Sequence, residues 1–131
     1  MNSKTYTIPI KPLTWQGMTA ENVPKFHEKF KQDLRAFVIY LIQQHGDDPL
    51  FKGPLHLQAT FYIPISKQVN KRSLFKYCHT YPRILDLTRF VLDSIDETKI
   101  IWTHSQQVSK WNIEKVFDKE PRTVICISEL E

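Results

Sequence analysis

The cleanest hydrophobic pattern in the chain is the alternation Leu55, Leu57, Ala59, Phe61, Ile63, broken by His56, Gln58, Thr60 and Tyr62 and closed by Pro64. Period-two burial of this kind predicts a strand with one face on a core, ended where proline removes a ladder donor. A different period governs the region before it. Phe26, Phe30, Leu34, Phe37, Val38 and Leu41 recur at three- and four-residue steps, which predicts an amphipathic helix. Asn22 is a suitable N-cap with Pro24 in the first turn, and Gly46 supplies a stop after about Gln44.

A second helix is predicted from Ile84 to about Asp96 by Ile84, Leu87, Val91 and Ile95, with Leu85, Phe90 and Leu92 alongside. Weaker alternation predicts a first strand at Thr5–Ile10 and two late strands, Gln107–Phe117 and Thr123–Ser128. Pro121 and Arg122 fall between the late strands and suggest a hairpin. The order β-α-β-loop-α-β-β allows one βαβ crossover. It predicts an α/β (α+β) domain, a mixed sheet with two helices packed on it, occupying residues 1–131 as one unit.

Composition sharpens this picture in two places. The 131 residues are 41% hydrophobic and 24% charged, which suits a globular core and excludes a disordered chain. No apolar run is long enough to span a membrane, and the first residues lack a signal-peptide pattern, so a cytoplasmic protein is expected. Cys78 and Cys126 are then expected as reduced thiols.

Charge is the second place. The chain carries +4 overall. Lys67, Lys71, Arg72, Lys76, Arg83 and Arg89 stand against a single acid, Asp86, so residues 67–89 alone carry +5. A concentrated positive segment points to an anionic partner, and DNA is the expected one. Phe75, Tyr77, His79 and Tyr81 alternate through the same stretch. On an extended backbone they share a face, and Phe75, Tyr77 and Tyr81 are base-stacking candidates. The competing structural reading is a strand packing its aromatics on a core, with the lysines and arginines merely solvated.

Two stretches resemble the RusA-like Holliday junction resolvases. His79–Ile95, reading HTYPRILDLTRFVLDSI, is similar to that family's central motif of Asp-x-Asp-Asn-Leu, a basic residue, then Asp-Ala-Leu. Ile101–Val108, reading IWTHSQQV, resembles its Trp-x-Asp-Asp-x-Gln-Val. Ile8-Pro9-Ile10-Lys11-Pro12 and Phe61-Tyr62-Ile63-Pro64 match its opening strands in position. The resemblance implies a homodimer acting on branched DNA in recombination and repair, a mobile-element origin, and Mg²⁺ held by aspartates.

Position by position the acids are missing. Arg83 and Leu85 stand where the first two aspartates belong, and Asp86 stands on the following Asn. His104 and Ser105 replace the acidic pair, while Asp93 and Arg89 match the helix acid and base. A guanidinium repels Mg²⁺ and a leucine offers it no lone pair. Asp86 and Asp93 lie seven residues apart, about 10 Å along a helix, too far to share an ion. His104 joined to Asp86, Asp93 or Asp96 makes a poor site for another metal. Neither Ser94 nor Ser105 has a nucleophile's context. The expectation is a non-catalytic, pseudoenzyme-like DNA binder needing no cofactor. The alternatives are an active Mg²⁺-dependent resolvase using rearranged carboxylates such as Asp86 and Asp93, and a protein-interaction module with Trp15 or Trp111 as anchors.

Overall fold

A computed structural model describes residues 2–13, 23–65 and 75–131. The elements are β1 (Ser3–Ile8), α1 (Val23–His45), β2 (Leu55–Pro64), α2 (Ile84–Thr98), β3 (Val108–Asp118) and β4 (Arg122–Glu129), with a 3₁₀ turn at Ser105–Gln107. The mixed sheet has the order β1-β4-β2-β3. The α+β class with two helices on a mixed sheet is therefore as expected.

Strand β2 buries Leu55, Leu57, Ala59, Phe61 and Ile63, the five residues of the alternation. The same side of the sheet carries Tyr6 and Ile8 from β1 and Ile125 and Ile127 from β4. Helix α1 lays Phe37 and Leu41 on this face, and α2 adds Leu87, Phe90, Val91 and Ile95. Phe37 and Phe90 meet edge to face, with centroids 5.3 Å apart, where the helices touch. Such a pair adds to the burial of both rings. Gly46, at φ 60°, ends α1 in the left-handed conformation that favours glycine. Asn22 and Trp15 lie outside the described residues, as do the side chains of Phe26 and Phe30.

Two expectations need correction. β1 begins at Ser3 and stops at Ile8, because Ser3–Ile8 pairs with Thr123–Ser128 of β4 and Pro9 follows with no donor. The late strands are not a hairpin. β3 runs parallel to β2, from Leu55↔Val108 to Pro64↔Asp118, whereas β4 crosses over the end of β2 and inserts between β1 and β2. The strand contents explain this choice. Val124-Ile125-Cys126-Ile127 suits a central position, while β3, with Lys110, Glu114 and Lys115, suits an edge. Crossovers therefore number two: β1-α1-β2, with β4 lying between its strands, and β2-α2-β3 between neighbours.

Cys78 is buried and Cys126 half-buried, and both are free thiols. Beyond the core, Tyr6 donates or accepts a 2.7 Å hydrogen bond with buried His45 Nδ1. Burial, then the nearby Asp48 carboxylate, pushes the Tyr6 phenol up.

Candidate nucleic-acid interface

The segment entering α2 follows the sheet edge. The Cys78 N–H donates to Lys115 O at 3.0 Å and the Phe117 N–H donates to Lys76 O at 3.0 Å, so Tyr77 bridges Val116 on the outer side of β3. Because Cys78 turns inward, its neighbours turn out, and Phe75, Tyr77, His79 and Tyr81 are all exposed. Phe75 meets His79 edge to face at 5.1 Å, and His79 lies 6.4 Å from the Phe117 ring. Lys76 Nζ sits 5.4 Å from the Tyr77 ring centroid. The turn into the helix is pinned by Lys115, whose Nζ donates to Thr80 O and to Pro82 O, both at 2.6 Å.

Helix α2 starts here without a side-chain cap. Arg83 occupies the N-cap position, extended and making no capping bond. Asp86 lies in the first turn, where the helix dipole favours an acid. Its Oδ2 is buried without a hydrogen bond and faces Arg83 Nε at 4.0 Å. One turn on, Arg89 Nε lies 3.9 Å from Asp93 Oδ2. Both acids thus face an arginine of their own helix. The side chains of Arg83 and Arg89 are 68% and 75% exposed, so each guanidinium can turn to a phosphate at little cost. Leu85 is exposed as well.

The other end of α2 is wired differently. Lys99 takes φ 59° to close the helix, and buried Trp102 donates its indole N–H to Asp96 Oδ1 at 2.7 Å. The same oxygen accepts the Ser105 N–H at 2.9 Å. His104 Nδ1 accepts the Gln106 N–H at 3.0 Å, and Gln107 Oε1 accepts the N–H groups of Thr103 and His104 at 2.8 and 3.1 Å. Gln107 also donates to Phe51 O and Gly53 O, at 3.3 and 3.0 Å, tying this turn to the entry of β2. His104 is thus a turn cap, and Ser105 contributes its backbone.

Within one copy the two groups of family positions do not meet. Arg83, Leu85 and Asp86 begin α2, whereas His104 and Ser105 are tethered to Asp96 near its end. Thirteen residues of helix separate Arg83 from Asp96, about 20 Å. Among the described residues no three His, Cys, Asp or Glu side chains gather as metal ligands. One copy therefore offers Mg²⁺ too few of the oxygen ligands it needs.

Lys67, Lys71 and Arg72 lie outside the described residues. Lys76, Arg83 and Arg89 occur together with Phe75, Tyr77 and Tyr81 on the segment 75–82 and the α2 segment that follows it. Sequence reading misses Lys115 and Gln107, and it treats Asp96 only as a possible ligand. No local signature marks a lysine that reaches 35 residues back or a carboxylate that serves donors six and nine residues on. Among the described residues, no helix is long and apolar enough to cross a membrane.

Comparison with known families adds the last observation. The family model of endodeoxyribonuclease RusA matches residues 10–128, which spans both helices and nearly all of the sheet. No curated protein matches the chain. With most of its length covered, this chain belongs to the RusA endodeoxyribonuclease family.

Proposed function

We propose that this RusA-family domain binds branched DNA as a homodimer and does not cut it by the family's metal-dependent route. One observation carries the reading: the α2 N-terminus presents Arg83 and Leu85 where the family's acids belong, beside exposed Arg89 and the exposed aromatics of residues 75–81. A cutting site needs carboxylates near phosphate to hold the ion, and they repel the substrate until it is bound. Replacing them with a guanidinium and an apolar side chain removes that repulsion and adds a phosphate contact. Phe75, Tyr77 and Tyr81 then supply stacking faces for bases unpaired at a branch point. Lys67, Lys71 and Arg72 extend the same charge in sequence. A junction has approximate two-fold symmetry, which a symmetric dimer matches.

Anisotropy titrations against a four-way junction and a linear duplex test the binding. Five neutralised phosphates give log K falling against log salt with a slope of about −4.5. Absence of binding at low salt defeats the proposal. Incubation of the junction with Mg²⁺ and with Mn²⁺ tests the second half. An intact junction in both is the expected result, and cleavage restores the resolvase reading with rearranged carboxylates.

A further inference from the structure

β3 is an edge strand, and its outer side is covered only from Lys115 onward, by residues 76–78. Among the described residues nothing pairs with that side between Ser109 and Glu114. The bonds at Lys115 O and Phe117 N show that odd-numbered residues turn their backbone groups outward. By the alternation of a strand, Trp111 and Ile113 therefore present free N–H and C=O groups to solvent. A bare edge of this kind is a template for another strand.

We infer that its occupant is β3 of a second copy, added antiparallel with the two-fold axis at Asn112. The inference rests on the homodimer of the proposed function, and the sequence of the edge selects the register. An axis at Asn112 sets Lys110 opposite the partner's Glu114, and Glu114 opposite the partner's Lys110. Trp111 then faces the partner's Ile113 on the helix side of the sheet, and the reverse pair forms as well. Trp111 is 48% exposed in the single copy, large for a tryptophan packed on a domain. Odd residues face odd residues in this register, as exchange of backbone hydrogen bonds requires. Moving the axis by one residue, to Trp111 or Ile113, keeps that parity but removes both charge pairs. The lengths agree too. Val108, where β3 begins, comes opposite Val116, where Tyr77 already closes the edge.

This arrangement joins the two four-stranded sheets into one of eight strands. It also has a consequence for the site. Lys115 ties residues 80–82 to the far end of β3, whereas the 104–107 turn precedes its start. Antiparallel pairing places the partner's 104–107 turn beside the residues that lead into α2. The two groups of family positions, some 20 Å apart within one chain, thus meet across the dimer. The DNA surface is incomplete without the second copy.

Sedimentation of the whole protein at micromolar concentration, with three variants, tests this. The expected species is a dimer. Lys110→Glu and Glu114→Lys each turn two attractive pairs into repulsive ones and raise the dimer dissociation constant by on the order of tenfold. The double variant K110E/E114K restores it, which a fold defect would not. Asn112→Cys, at the non-hydrogen-bonded pair on the axis, cross-links to itself on oxidation while the parent chain does not. A monomer in solution overturns the inference. So does a dimer indifferent to both single changes and to Asn112→Cys. Junction binding on the same samples separates the two proposals: a monomer that still binds with a steep salt slope defeats the interface alone.

Discussion

The two ends of α2 are held by different means. At the C-terminal end one carboxylate, Asp96, satisfies the buried indole of Trp102 and the backbone of Ser105, and Gln107 fastens the same turn to the entry of β2. Nearly every polar group there is spent on the protein itself. At the N-terminal end Arg83 caps nothing, two arginines extend into solvent, and the incoming chain is held from behind by Lys115. Polar groups already spent on the fold are poor ligands, whereas unspent ones on a fixed backbone are good ones. The contrast assigns stability to one end and recognition to the other.

The largest effect expected from this contrast is at Asp96. Asp96→Ala leaves a buried indole donor unpaired and removes the Ser105 bond, a loss of about 3 kcal/mol. Asp96→Asn retains one acceptor oxygen and should recover roughly half of it. Urea unfolding measures both, and DNA affinity of the folded fraction should stay unchanged. A loss of affinity with little loss of stability would reverse the assignment of the two ends.

Lys115→Met comes next. It keeps the aliphatic stem and removes the charged donor that serves Thr80 O and Pro82 O, for about 1–2 kcal/mol. Here stability and binding should fall together, because the turn that presents Tyr81 and Arg83 loses its anchor. An unchanged junction affinity would show that the segment needs no such support.

Much of the fold was legible because burial writes itself into local periodicity. β2 and both helices were read within a few residues from Leu55–Ile63, Leu34–Leu41 and Ile84–Ile95. The sheet order was not. Alternation tells which face of β4 is buried, and says nothing about which strands flank it, so a short link at 119–121 read as a hairpin although it steps over β2. The site divides in the same way. Charge and aromatic alternation around 75–89 were visible as composition, and the single inward residue Cys78 explains why they face out. The separation of Arg83 from His104 was hidden, because a motif gives residues in order and not the length of helix between them.

Arg83→Ala separates the ends from the other side. Stability should move by no more than about 0.5 kcal/mol, as for other exposed substitutions. The salt slope of junction binding should become shallower by about 0.9, the share of one phosphate. Arg89→Ala should act alike, since its ion pair with Asp93 is exposed and worth little. A large stability loss in either would make these arginines structural and erase the contrast.

The smallest effect concerns acid, and it guards against misreading the rest. Asp48 has its carboxyl held below the ordinary value first by the hydrogen bond from Lys4 and also by the charges of Lys4 and His45. A depressed folded-state value means its contribution is complete above the unfolded carboxylate range, near about pH 4, and is lost as pH falls through the folded value. Asp48→Asn should therefore lower the melting temperature slightly at neutral pH and make no difference in strong acid, where both chains lack the charge. The residue lies just beyond the end of α1, in a pair with β1, remote in sequence from either end of α2. Whatever acid sensitivity survives in Asp48→Asn must come from other carboxylates. Combining it with Asp96→Ala shows how much of that remainder belongs to the wired end of α2: little acid dependence left in the double variant supports the contrast, and an undiminished one would place it elsewhere in the fold.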